Sequence, residues 1–420
     1  MRRPRLYYGW VVVATLGVTE TISWGVLYYA FSVYLSPMEG ELGWSRGDMT
    51  GAFSLGLLLS GVAAIPVGRW LDVHGPRLLM TIGSISGALL VAAWSGVVSL
   101  TQLYVVWAAM GLAMAATLYD PAFATATRWF ERNRLRALTV ITLLAGFAST
   151  IFLPLAAWLV QVQGWRVSLL TLALILGIGT IPAHALLLRR RPEDIGLQPD
   201  GEPLPDRERP RARRASQATE RRLTPSGMDV GEALRDPSFR WLVTSFGLAT
   251  LATIAIGIHF VPYLQDRGYD ATFAATVTGL AGAMQVVARL MLAPFGDRTS
   301  PGTLALATLS LLPLSIVVLL LVPSTLGVFA FVALFGAARG AGTLTRPAML
   351  AHLYGRAQFA SIAGVMQFSL SIAQALAPVG AGVAYDRLGS YEPVFWGLAG
   401  LSAVAVVAIL PARKPRRATV

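Results

Sequence analysis

Apolar stretches of about 20 residues or more recur along the whole chain, and they constrain its fold more than any other feature. A helix needs about 20 apolar residues to cross the hydrocarbon core of a bilayer. By that measure spans are expected near 10–35, 48–70, 78–98, 102–127, 136–161 and 166–188, and again near 239–264, 272–295, 303–322, 325–351, 358–385 and 391–411. Of the 420 residues only 13% are charged, against about 25% in a soluble domain, and those charges cluster between the stretches. Lipid offers no partner to a backbone N–H or C=O, so helices that satisfy their own are the expected elements. The sequence therefore predicts an all-α membrane protein of twelve transmembrane helices. Gly9 to Leu35 is long enough to be a first span and shows no cleavage site of a removable leader.

The net charge of +12 points to a membrane surface and not to nucleic acid. Its arginines sit at the ends of apolar runs: Arg2, Arg3 and Arg5, then Arg69 and Arg77, then Arg128, Arg132, Arg134 and Arg136. More follow between Arg189 and Arg240, and at Arg298, Arg356 and Arg413. Every second connection is basic, which places both termini and the long central loop in the cytoplasm under the positive-inside rule. Cysteine is absent, which excludes disulfides and thiolate metal sites. Lys414 is the only lysine, so no Walker-A loop is present. With no His-Glu-x-x-His and no Gly-x-Ser-x-Gly, neither an enzyme nor a cofactor or metal site is expected.

The two halves of the chain resemble each other at a near-constant offset. Gly43-Trp44 recurs as Gly268-Tyr269, Asp72 as Asp297, Asp120-Pro121-Ala122 as Arg346-Pro347-Ala348, and Pro154 as Pro378, at separations of 225, 225, 226 and 224 residues. Two six-helix bundles are therefore expected, over 1–188 and 238–420. Such halves are what an alternating-access carrier is built from, with its site between them. The segment 189–237 between them is rich in Pro, Arg, Asp and Glu and reads mostly as an unstructured tether.

Between spans 2 and 3 stands Gly68-Arg69-Trp70-Leu71-Asp72-Val73-His74-Gly75-Pro76-Arg77. It resembles the G-x-x-x-D-x-x-G-x-R loop signature of major facilitators. The resemblance implies gating roles for Asp72 and Arg77, and for Asp297 and Arg298 in the degraded second copy. Gly68 is expected to let a neighbouring helix approach closely. Within that superfamily the chain is most similar to the monocarboxylate transporter family and its bacterial relatives, which include oxalate/formate antiporters. Arg128-Trp129-Phe130 with Arg134, Arg136 and Ala137, then Ala145-Gly146, carry that likeness, as does Ala288-Arg289 in span 8. It implies a secondary active transporter of a small organic anion, a monocarboxylate by family, using proton symport or anion exchange and acting as a monomer in the plasma (bacterial inner) membrane. The family's span-8 aspartate is Gln285 in this chain, and its cationic residues of spans 1 and 11 have no counterpart.

An ionisable group within a span costs at least about 2.5–3.5 kcal/mol, so each one is a functional candidate. Arg289 is the first candidate for substrate, because a guanidinium stays charged when buried and presents a planar fork to a carboxylate. Arg339, Tyr28, Tyr29, Tyr119, Gln285 and Gln367 are expected to line the same cavity, with Phe53 and Phe368 as further aromatic candidates. Glu20 is expected either to pair with Arg339 or to carry the coupled proton, its neighbours Thr19 and Thr21 supplying hydroxyls. Asp120 and His259 are further proton-coupling candidates. Asp120 and Arg346, opposite in sign at equivalent positions, are expected to latch the cytoplasmic side when it closes. A drug or metabolite efflux carrier of the same fold is the alternative, with Arg289 then structural.

Overall fold

The computed structural model describes residues 7–201, 230–292, 299–354 and 359–412. Helices dominate, as backbone satisfaction in lipid demands. In the first half, α1 is Tyr8–Leu42, α2 Arg46–His74, α3 Pro76–Ser95 and α4 Leu100–Trp129. Helix α5 starts with Arg134–Ala145 and runs on into Ala148–Leu187. Gly164, at φ 75° and ψ 163°, breaks that long helix into two passes, ending α5 and starting α6. The second half holds α7 (Pro237–Asp266), α8 (Ala271–Leu292), α9 (Pro301–Leu321), α10 (Thr325–Tyr354), α11 (Phe359–Leu388) and α12 (Tyr391–Ala412). Among the described residues, the eleven apolar stretches long enough to cross a membrane thus make twelve passes.

An even number of passes leaves Tyr7 and Ala412 on one face, the terminal face, with the odd-to-even turns on the far face. Those far turns are short: 43–45, 96–99, Gly164, 267–270, 322–324 and 389–390. Small polar side chains start the helices that follow. Ser45 accepts from Asp48 N, Ser99 from Gln102 N, and Asp270 from the backbones of Thr272 and Phe273. Each satisfies an N–H that the helix leaves free. The sequence repeat has a backbone cause at its first anchor. Gly43 (φ 68°) and Gly268 (φ 85°) both take the left-handed conformation that ends α1 and follows α7.

The buried apolar residues form three clusters. One cluster runs from Ala233 to Ala412 and contains no first-half residue. The other two draw on residues 12 to 188, with Ile258 and Ala275 the contributions from the second half.

The central segment, expected to be mostly a tether, is described only at its two ends. Residues 188–201 are ordered and strap the terminal face of the first half. Leu188 is buried, the Leu187 carbonyl accepts from Tyr8 Oη, and the Arg190 stem covers Gly75. Asp200, at φ 62°, turns its carboxylate onto the N–H groups of Glu131, Arg132 and Asn133 at 2.9, 2.8 and 3.2 Å, and onto Asn133 Nδ2 at 3.0 Å. The contacts that hold 188–201 are largely polar caps, which a reading of apolar periodicity does not detect. A short helix, Val230–Arg235, leads into α7. Residues 202–229 lie outside the described residues.

Candidate functional site

The halves meet mainly along two helix pairs, α2 with α11 and α5 with α8, and also where the end of α1 meets α7. The α2–α11 pair is a wedge. A Cβ at Gly47 would stand 3.1 Å from Val383, one at Gly61 3.6 Å from Ser371, and one at Gly68 would meet nothing within 4 Å. Among the described residues, then, none packs against Gly68 closely enough to need a glycine there. The α5–α8 pair stays close farther in: Thr150 Oγ1 donates to the Gly279 carbonyl at 2.8 Å, and a Cβ on Gly282 would press the Gly146 carbonyl at 2.7 Å.

At the far face the seam is closed by charge. Arg46, 4% exposed, forks onto Asp266 across the halves at 2.8 and 2.9 Å while its Nε donates to Glu39 at 2.8 Å. The rings of Tyr385 and Tyr391 lie 4.3 and 5.2 Å from its guanidinium carbon. The next residue, Gly47, donates its N–H to Asp386 at 2.8 Å. Bidentate, charge-assisted and shielded, this is the strongest class of polar contact a protein makes. The sequence did not single it out, since charges at span ends look like ordinary interface residues until the opposite half is seen.

His259 belongs to this seam and not to the central cavity. Its ring is buried between the Tyr391 hydroxyl at 2.8 Å and the Pro378 carbonyl at 2.9 Å. With Nε2–H donating to that carbonyl and Nδ1 accepting from the phenol, the neutral ring is fully satisfied. The structure thus places His259 outside the pocket that holds Arg339.

Between the halves, at the level of the middle of α1 and α10, a pocket is lined by Tyr29, Leu153, Phe260, Thr278, Phe335 and Arg339, among others. Arg339 donates to Tyr29 Oη at 3.4 Å and sits 5.7 Å from the Phe335 ring centre. It does not pair with Glu20. Arg289 donates to the Thr142 carbonyl at 3.3 Å, and its Nε has no partner. Neither arginine forms an ion pair among the described residues. A Cβ on Gly340 would come within 2.9 Å of the Gln285 backbone, so α8 and α10 pack tightly and bring their arginines toward one region. Tyr29 and Tyr119 are close enough to both arginines to interact electrostatically.

Helix α4 breaks at Leu118, where the backbone turns extended. Pro121 supplies no N–H and its ring crowds the carbonyl of Thr117, so the helix restarts. That restart exposes Asp120 in the first turn of Tyr119–Trp129, where the helix dipole favours negative charge. Asp120 and Arg346 share no hydrogen bond or ion pair. Tyr28 is buried beside Tyr29, their rings 5.1 Å apart. Gln285 is buried, whereas Gln367 and Phe368 are exposed on α11. Phe53 does not line the pocket; it stacks on Phe31 at 4.5 Å inside the first-half core. Thr19 and Thr21 turn their hydroxyls back onto helix carbonyls and leave Glu20 unserved.

Of the loop-motif residues, Arg77 is exposed and the Leu71 carbonyl accepts from Arg128 Nη1 at 2.7 Å. Asp72 is helical in backbone. Asp297 and Arg298 lie outside the described residues. Pocket residues that the sequence reading passed over, Phe260, Thr278 and Phe335, carry no signal separable from ordinary core aromatics and helix threonines.

The comparisons with known proteins agree with this geometry. The family model described as Major Facilitator Superfamily matches residues 15–329 and 285–420. Monocarboxylate transporter 13 of Bos taurus is 26% identical over 393 residues, covering 92% of this chain and 85% of that one. An oxalate:formate antiporter of Oxalobacter formigenes is 27% identical over 246 residues, 58% of this chain and 53% of its own length. Among solved structures, a nucleoside transporter superposes with a TM-score of 0.73 at 13% identity, covering 96% of this chain and 99% of that one. A bacterial homolog of the human lysosomal transporter Spinster, inward-facing and occupied, gives 0.67 at 14% identity, covering 98% and 96%. These proteins are membrane transporters and not enzymes. With its twelve passes and a family match over nearly its whole length, the chain is an integral membrane transporter that belongs to the Major Facilitator Superfamily.

Proposed function

We propose that this transporter carries a small organic anion, a monocarboxylate, by alternating access coupled to protons or to a counter-anion. The observation that supports it most is the pair of guanidiniums, Arg289 and Arg339, at the mid-membrane seam without a carboxylate partner among the described residues. An unpaired buried cation is costly, and a bound carboxylate offsets that cost with a planar, bidentate match. Tyr29, Tyr119 and Gln285 are the neutral groups we assign to orienting it. Glu20, fully buried and unpartnered, is the group we assign to the proton. Asp120 and Arg346 form the latch of the opposite state, and the closed far face corresponds to an inward-facing carrier if the basic terminal face is cytoplasmic.

The test is reconstitution into liposomes with a panel of labelled monocarboxylates and dicarboxylates, with and without a pH gradient. Uptake is expected for short monocarboxylates, reduced about tenfold or more in Arg289→Gln and in Arg339→Gln. The aromatic wall of Tyr29, Phe260 and Phe335 favours a second reading, efflux of larger apolar compounds. That reading prevails if no carboxylate moves under any condition.

A further inference from the structure

One turn of α1 collects four polar atoms without hydrogen-bond partners: both carboxyl oxygens of Glu20, the Ser23 hydroxyl and the Trp24 indole N–H. Glu20 and Ser23 are fully buried. Each such atom costs about 1–3 kcal/mol, and more if charged, so a cluster of them is a candidate for work that packing does not explain. The Trp24 indole is near enough to Glu20 to act as its donor but is not aligned to do so. Its ring meets Tyr119 at 5.0 Å, Tyr28 at 5.1 Å and Tyr29 at 6.2 Å. Trp24 thus stands between the buried acid and the tyrosines that face the arginines. Immediately after it α1 widens into a π turn, Gly25–Tyr29, against which Phe152 packs. Such turns recur at functional sites because they shift the register of the side chains that follow. The ionisable groups facing Glu20 are Asp120 and Tyr119, both from α4, and Arg289 and Arg339 lie beyond Tyr119 and Tyr29.

We propose that Trp24 is the positioning residue of the proton site. Its indole N–H donates to the Glu20 carboxylate once the proton has passed to cavity water, and its ring walls the acid from the cavity between transfers. The carboxyl O–H bond breaks, water becomes hydronium, and no electron changes hands. This rests on the assignment of the coupled proton to Glu20. It adds a residue that none of the charge arguments selects, since tryptophan does not titrate.

Infrared difference spectra of the purified full chain, stepped from acid to alkaline pH, follow the protonated carboxyl C=O band without any substrate. Glu20→Gln is expected to remove one band and so to assign it. Trp24→Phe keeps a ring but loses the N–H, and should move the midpoint of that band by about one pH unit toward alkaline, the scale of one hydrogen bond to a charged group. Trp24→Tyr, which restores a donor, should return part of that shift and serves as the second variant if Trp24→Phe does not fold. An unchanged midpoint in Trp24→Phe, with the Glu20 band assigned, overturns the role of Trp24 alone. If Glu20→Gln removes no band, the proton assignment itself falls.

Discussion

Arg289 spends one hydrogen bond on the Thr142 carbonyl and its buried Nε has no partner, so the protein leaves its donor fork unsaturated. Lysine at this position keeps the charge but loses the planar fork, and Arg289→Lys should lower kcat/KM for a carboxylate about tenfold or more. Liposome uptake at several concentrations separates that loss from one of expression. Asp200 supports a prediction of another kind. Its partial burial works the other way, yet the N–H groups of Arg132 and Glu131 and both donors of Asn133 hold its carboxyl below the usual carboxylate range. A depressed carboxyl stabilises the fold above its unfolded value of about 3.9 and loses that contribution as the pH falls through its folded value. Thermal unfolding should therefore show a wild-type advantage over Asp200→Asn that is whole at neutral pH and fades below about pH 4. Tyr7, in the same strap, is pushed up to about 12 by burial and then by the Asp200 and Glu193 carboxylates, so it remains a neutral donor to the Trp129 carbonyl.

At the scale of elements, α2 and α11 make a hinge-like wedge whose tight end is the Arg46 cluster. Asp266→Asn cuts the fork across the halves while leaving Arg46 with Glu39. Glu39→Gln does the reverse. Spin labels at Val98→Cys and Leu326→Cys, both exposed at the far face of opposite halves, read the separation in a chain that has no native cysteine. Asp266→Asn should add a longer distance that Glu39→Gln does not, and equal responses would mean that the cluster only stabilises the fold locally. The span positions were legible because lipid enforces length and apolarity residue by residue. The seam was not, because Arg46, Asp266 and Asp386 come from three separate stretches, and their meeting depends on how two bundles dock. Arg289 and Arg339 could be picked out since any charge in a span is conspicuous, whereas Trp24 and Phe335 look like packing in any apolar run.

For the whole molecule, we propose that the repeat-related pair Asp120 and Arg346 does at the open end of the wedge what the Arg46 cluster does at the closed end. Each single reversal, Asp120→Arg or Arg346→Asp, should abolish most transport by placing like charges where the halves must close. The double reversal should restore a measurable part of it in the same uptake assay. No rescue beyond the single variants would leave each residue neutralised within its own bundle. The repeat itself was visible as spacing alone, and the structure supplies its cause at Gly43 and Gly268, where one left-handed residue turns each half at the same place.

The far-face turns, none longer than four residues, also decide what this surface offers to other molecules. A protease must draw several residues of extended chain into its cleft, and four residues reach only about 14 Å even when stretched. Gly164 on its own offers no chain at all. Protease added to that side of sealed vesicles should leave the polypeptide intact. A raised antibody would have to grip the packed ends of helices, and so would report on one arrangement of the two halves.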